Sequence, residues 1–271
     1  MVDPLLRFEQ VSFSWDATHP LLERMSFSIK PNECVALVGL NGAGKSTLLK
    51  LACGLIKPTS GRVCVGGLDT ATARAPQLAS RVALMFQEAE RQICHEQVAS
   101  EIGFAPRLAG HDPSEIRRRV ARAMDITGLA GQAECHPLDL NAGERRMLTL
   151  ASLIAQDAPL VLLDEPTRDF DARSLDQFEA WITSTLHAGT SMLFISHDLD
   201  LVARHATRVL HLGGGGILAD GPVESVLRHP SLQEVTAMAA PTLPALCRAL
   251  NMSETTSLEA FQQQWKTRLG R

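Results

Sequence analysis

Residues 35–47 read Val35-Ala36-Leu37-Val38-Gly39-Leu40-Asn41-Gly42-Ala43-Gly44-Lys45-Ser46-Thr47. A short apolar run, a glycine-rich turn and a Gly-Lys-Ser ending fit a buried strand, a phosphate-cradling loop and a helix start, in that order. Gly39, Gly42 and Gly44 let the backbone bend, so that the N–H groups of a loop containing Asn41 and Ala43 point inward at phosphate oxygens. Lys45 can reach the β- and γ-phosphates, and the Ser46 hydroxyl can sit on Mg²⁺. After Thr47, the residues Leu48, Leu49, Leu51 and Ala52 read as a helix whose positive N-terminal end faces the anion. A chance lysine in a glycine turn is a poor alternative, because the chain has five lysines in all and every fixed position is filled.

Working outward, the 271 residues suit one large domain with an appendage. Hydrophobic residues make up 45% and mean hydropathy is +0.02, as in a globular protein with ample core. The net charge of −4 and pI of about 6.1 speak against a nucleic-acid surface. Met1-Val2-Asp3-Pro4 has neither a basic nor an apolar region, so no signal peptide is expected. No apolar stretch reaches the ~18 residues needed to span a bilayer. The best candidate, 147–163, is interrupted by Gln156, Asp157 and Pro159, so a membrane role would need another chain. Six cysteines follow no disulfide or zinc rhythm, which fits a reducing cytosol.

Leu6, Phe8, Val11 and Phe13, then Phe27 and Ile29, predict antiparallel strands leading into the strand before the loop. Further strands are predicted at 63–65, 81–86, 160–163, 192–195, 209–212 and 217–219, with Gly213 to Gly216 as a turn. Between about 88 and 150 the pattern becomes helical. Asp112-Pro113-Ser114-Glu115 opens one helix, with Ile116, Val120, Ala123 and Met124 inward and Arg117, Arg118, Arg119 and Arg122 on the solvated side. Another is predicted from about Ser174 to Ala188. Strands alternating with helices predict an α/β fold with a mostly parallel sheet. From about 232 the rhythm is lost: Pro241 and Pro244 mark a joint, and helical stretches follow at 243–250 and 257–269.

The apolar run 160–163 ends in Asp164-Glu165. Paired with the upstream loop, Asp164 would hold Mg²⁺ through water and Glu165 would orient or deprotonate the attacking water. Lys45 and Mg²⁺ would stabilise the developing charge.

Over residues 5 to about 230 the chain resembles an ATP-binding-cassette (ABC) ATPase. Gln87 follows the 81–86 strand as the Q-loop glutamine does, which implies a catalytic role and Mg²⁺ contact. Leu140-Asn141-Ala142-Gly143-Glu144 stands in place of the LSGGQ signature, Phe170-Asp171 in place of the D-loop, and His197 in place of the switch histidine. Trp15 lies where the family places its adenine-stacking aromatic, with Phe13 as a nearby alternative. The resemblance implies a P-loop NTPase of RecA-like type. It has an N-terminal antiparallel β subdomain, a helical signature subdomain at about 88–150, an ATP-binding domain over 1–231 and a helical extension over 232–271. ATP and Mg²⁺ are the implied cofactors. Asn141, Gly143 and Glu144 would face the ATP held by a second ATP-binding subunit. Ala142 adds a methyl group there and Glu144 a negative charge, which predicts a slower site.

The segment after Gln87 is similar to the energy-coupling-factor branch of that family, with Gln92, Glu101, Phe104 and Pro106 matching its FQNPDDQ and EEDVAFGP stretches. That implies a homo- or heterodimer on the cytoplasmic face of a membrane, peripheral, with a transmembrane coupling protein seated on about 88–104 and a separate substrate-binding membrane protein. The cargo would be a vitamin, cobalt or nickel, and no nucleic acid is implied. The C-terminal extension resembles that branch's added helical region. Cys94-His95 and Cys135-His136 lack metal-site spacing and read as unrelated neighbours. Two other readings are a soluble cassette ATPase acting on nucleic acid or ribosomes, and a degenerate ATP-binding partner within a heterodimer.

Overall fold

The computed structural model describes residues 3–16, 19–227, 242–250, 252–255 and 258–269. β1 (Leu6–Ser14) and β2 (Pro20–Ile29) form an antiparallel pair. Their inward residues do not keep strict alternation, and the reason is local. Gln10 and Arg24 adopt left-handed backbone (φ 49° and 48°) where the register shifts. Each bulge inserts one residue, so Leu6 and Phe8 on one side of it and Val11 and Phe13 on the other all face the core. β4 (Ser60–Val65) and β5 (Leu68–Asp69) complete this sheet in the order β2-β1-β4-β5.

The second sheet is built from β3 (Cys34–Gly39), β6 (Val82–Met85), β7 (Leu160–Asp164), β8 (Ser191–Ile195), β9 (Arg208–Gly213) and β10 (Gly216–Pro222), in the order β10-β9-β3-β8-β7-β6. All its pairings are parallel except β9 with β10. β3, β7 and β8 are buried along their whole length, which is why they read as continuous apolar runs. Alternate β3 residues serve two cores. Val35 and Leu37 pack with the antiparallel sheet and α1 (Lys45–Ala52), while Cys34, Ala36 and Val38 pack with the opposite helical layer. The predicted α/β class, with a mostly parallel sheet and an antiparallel β layer, is what the structure shows.

α2 (Ala75–Ala79) packs through Leu78 into the core shared with the antiparallel sheet. The helical layer comprises α3 (Val98–Ile102), α4 (Phe104–Leu108), α5 (Pro113–Thr127), α6 (Ala142–Gln156), α7 (Ala172–His187), α8 (Leu199–His205) and α9 (Val223–Leu227). The Asp112 side chain accepts hydrogen bonds from Ser114 and Glu115 N–H at 2.9 and 3.1 Å, with Pro113 in the first turn, as expected. Glu115 does not reach back to the cap. It pairs instead with Arg118 and Arg119 one turn on, at 2.6 Å each, so part of the arginine row is locally neutralised. α7 starts two residues before the predicted Ser174, because Asp171 caps it by accepting Ser174 N–H at 2.7 Å.

α10 (Thr242–Ala249) and α11 (Leu258–Leu269) form the C-terminal part. Pro244, predicted as a joint, lies inside the first turn of α10, where a proline has no N–H to lose. Pro241, Ser257 and the 231/232 boundary lie outside the described residues. Thr242 donates from N–H and hydroxyl to the Asp200 carboxylate at 2.7 and 2.5 Å, tying α10 to α8.

Phe178 on α7 is fully buried between Phe170 (rings 5.6 Å apart) and Trp181 (5.8 Å). Truncating it leaves an unfilled hole. We expect Phe178→Ala to lower unfolding free energy by about 3–5 kcal/mol, measured by urea denaturation.

Candidate functional site

Parallel strands end at a common level, and their C-terminal ends carry the chemistry. β3 runs into the Gly39 loop, β7 into Asp164-Glu165 and β8 into Ser196-His197. Asp164 is paired with Ile195 in the β7–β8 register, and Leu37 with the same Ile195 in the β3–β8 register. Three loops therefore open onto one cleft of about 570 Å³.

The phosphate-loop geometry follows from its glycines. Gly39 has φ 148°, and a Cβ there would sit 2.2 Å from the Leu212 carbonyl oxygen. Gly44 has φ 94° and precedes α1 with no side-chain cap, so the helix's first N–H groups are left for an incoming anion. The buried Lys45 ammonium donates to the carbonyls of Gly39 and Leu40 at 2.8 and 2.9 Å. This closes the loop on itself around the charge that would meet a phosphate. Asn41, Gly42, Gly44, Ser46 and Thr47 line the cleft beside it. Gly39 and Ala43 are not among the cleft's lining residues.

Opposite stand Asp164, Glu165, Gln87 and His197. Ser46 hydrogen-bonds the Asp164 carboxylate, and burial pushes that carboxyl's pKa upward against the pull of Ser46 and Lys45. Burial also pushes Glu165 up to about 7, opposed by the His197 backbone N–H and by Lys45. His197 Nε2 lies 3.1 Å from Glu165 Oε1, yet the two are not aligned as a hydrogen bond, and that buried oxygen has no hydrogen-bond partner. Burial and Lys45 hold the His197 imidazole below its ordinary pKa, favouring the neutral ring. Glu165 has left-handed backbone (φ 49°), a costly conformation that recurs at functional sites. A hydroxyl–carboxylate pair beside an orphaned carboxylate oxygen is a donor set that suits a hard divalent cation such as Mg²⁺.

Trp15 lines the same cleft at 63% exposure, its ring edge-on to Phe13 at 4.9 Å. Phe13 is buried in the core, so of the two sequence candidates only Trp15 offers a free face. Asn141, Gly143 and Glu144 do not join this cleft. They form the N-terminus of α6, where Asn141 accepts Glu144 N–H and Glu144 accepts Asn141 N–H, both at 2.9 Å. The second Glu144 oxygen accepts from Gln132 Nε2 at 2.9 Å. The carboxylate expected to confront an anion is engaged in capping its own helix.

The residues after Gln87 have structural work. Gln92 accepts Phe86 N–H and donates to Leu84 carbonyl, both at 2.9 Å, closing the free edge of β6. Buried Glu101 accepts the N–H groups of Cys94 and His95 at 3.0 Å and meets His95 Nδ1 at 2.8 Å. Phe104 is 41% exposed against the His95 ring. The Cys-His pairs build no metal site: among the described residues no cluster of three or more such ligands exists.

One residue escaped the sequence reading. Arg146 on α6 is 3% exposed and donates to the carbonyls of Glu165 and Gln87 at 3.0 and 2.5 Å. Its spacing with buried Leu150 and Leu153, four and seven residues on, was the available signal.

The ABC transporter family model matches residues 22–168. An ABC transporter ATP-binding protein of Pyrococcus furiosus is 33% identical, covering 94% of this chain and 97% of that protein. The energy-coupling factor transporter ATP-binding protein EcfA2 of Clostridium perfringens is 32% identical over 89% of this chain and 86% of its own length. A 30% identical Vibrio vulnificus ABC transporter ATP-binding protein is longer, and this chain spans 46% of it. The solved cbiO1 of Clostridium perfringens, described as part of the ABC transporter complex cbiONQ, superposes with a TM-score of 0.75 at 23% identity, over 92% of this chain and all of that one. The chain belongs to the ABC transporter family.

Lys45 is the only ammonium lining the cleft among the described residues. A charged hydrogen bond of about 1.5–3 kcal/mol implies that Lys45→Ala weakens ATP affinity by about 10- to 100-fold, measured with a fluorescent ATP analogue.

Proposed function

We propose that this chain is the ATP-hydrolysing subunit of an energy-coupling-factor-type importer, with residues 1–231 as its ATP-binding domain and 232–271 as a helical extension. The observation that carries the hydrolytic half is the meeting of an uncapped helix start, a buried ammonium and a carboxylate with an unpartnered buried oxygen in one cleft. The transport half is supported by the EcfA2 relative and by the matching residues after Gln87, which shape the surface a membrane partner would use. No helix among the described residues is long and apolar enough to cross a membrane. In this reading a transmembrane coupling protein and a substrate-binding membrane protein supply the path. The site would then work at the cytoplasmic face, on a vitamin or transition-metal cargo.

In this reading Trp15 stacks on adenine, while the loop N–H groups of 39–44 and those opening α1 hold the phosphates. Lys45 exchanges its carbonyl partners for β- and γ-phosphate oxygens. Glu165 takes the proton of the attacking water, His197 bounds the γ-phosphate side, and Gln87 senses the nucleotide from the end of the 82–85 strand. Mg²⁺, held by Ser46, Asp164 and Gln87, supplies charge neutralisation for the phosphate oxygens. Two chains would sandwich ATP between this loop on one and Asn141 to Glu144 on the other. The capping box favours a second reading, in which Asn141 and Glu144 make that opposing face a weak partner within a heterodimer.

Three measurements test these readings. Glu165 must be ionised to accept a proton, so kcat/KM should rise with pH through about 7, the carboxyl's raised value. Glu165→Gln should keep ATP affinity and abolish that turnover, and unchanged hydrolysis in this variant refutes Glu165 as base. If the Glu144 charge does slow the opposing face, Glu144→Gln should raise turnover of the assembled dimer about two- to fivefold, the worth of ~0.3–1 kcal/mol at a helix end. An unchanged rate leaves that face electrically silent.

A further inference from the structure

Arg146 is not explained by α6 alone. A guanidinium withdrawn from water needs acceptors, and here both are main-chain carbonyls of functional segments rather than a carboxylate. One belongs to Gln87 at the end of the β6 strand, 59 residues away in sequence. The other belongs to Glu165 itself. The nearest acidic side chain is Asp169 at 3.9 Å, in the turn after Glu165, and Asp169 also has left-handed backbone (φ 66°). Gly143, one helical turn before Arg146, approaches the same turn so closely that a Cβ would stand 3.0 Å from the Asp169 carbonyl oxygen.

We infer that Arg146 is a positioning residue for hydrolysis: its planar fork spans the Gln87 and Glu165 carbonyls and fixes the Glu165 backbone in its left-handed, base-presenting conformation. Left-handed φ is unfavourable for a glutamate and persists only where the surroundings over-determine it. Glu165 N–H is already held by the Ile195 carbonyl at 3.1 Å. With Arg146 on the carbonyl, both polar groups of the residue are fixed and its carboxylate is aimed into the cleft. The same guanidinium reaches Gln87, so displacing α6 with the 88–150 helices would displace the glutamine segment and the base together. The hydrogen bonds and ion pair of Arg146 go to Glu165, Gln87 and Asp169 rather than to the phosphate loop or α1, so the groups that grip the phosphates keep their own partners without it.

The inference rests on Glu165 being the base, and the test separates the two. Arg146→Gln and Arg146→Lys are made in the full-length protein and compared with parent and Glu165→Gln for ATP affinity, kcat and thermal midpoint. Glutamine can serve one carbonyl, and a lysine ammonium lacks the planar fork. We expect ATP affinity within about twofold of the parent and kcat lowered about 10- to 100-fold in Arg146→Gln, with Arg146→Lys intermediate. A purely structural arginine would lower the thermal midpoint while the folded fraction hydrolyses at the parent rate, and that result overturns the inference. If Arg146→Gln does not fold, Arg146→Lys decides alone: reduced kcat at unchanged affinity supports positioning, and parent kcat refutes it. Parent-like turnover in Glu165→Gln would sink the base assignment itself, whatever Arg146 does.

Discussion

The site depends on a buried charge balance at the ends of three parallel strands. Two carboxylates, Asp164 and Glu165, leave water where β7 stops, and the ammonium of Lys45 is buried opposite them. Desolvation pushes the acids up and the lysine down, while their mutual attraction pulls each back. Neither half is comfortable alone, because isolated buried charges cost several kcal/mol. The cleft is therefore poised to receive both an anion, which Lys45 and the open start of α1 favour, and a cation, which the carboxylates favour. A nucleotide accompanied by a divalent ion supplies both at once.

The sheet makes that balance possible. β3, β7 and β8 are apolar along their length, so they must be covered on both faces, and the two cores do so. Because the strands are parallel and in near-common register, their polar ends coincide. A one-residue slip of β7 against β8 would carry Asp164 and Glu165 away from Ile195 and reverse every buried side chain of the strand.

What could be read from the sequence was what is local. The loop, the helix after it and the Asp-Glu pair each announce themselves within ten residues, because their chemistry demands fixed spacing. The bulges at Gln10 and Arg24 were not legible: a left-handed φ in a non-glycine residue leaves no compositional mark. Arg146 was hidden differently. Beside Arg145, it reads as solvated charge, and only the distant carbonyls of Gln87 and Glu165 explain its burial. Asn141 and Glu144 carried a second message in their Asn-x-x-Glu spacing, that of a capping box, which the comparison with a glycine-rich signature obscured.

The two helix starts differ in a way that gives the chain a direction. α1 opens after a left-handed glycine with no side chain over its N–H groups, whereas α6 opens under the reciprocal Asn141–Glu144 pair. An external anion meets uncapped donors at the first, and at the second a terminus whose Asn141 and Glu144 N–H groups are already taken. For the Asn141 N–H to hold a phosphate, the Glu144 carboxylate must first leave it, and then stand near the incoming negative charge. In the cleft of Lys45 and Glu165 no side chain caps α1, and the ammonium that must leave the Gly39 and Leu40 carbonyls offsets the two nearby carboxylates.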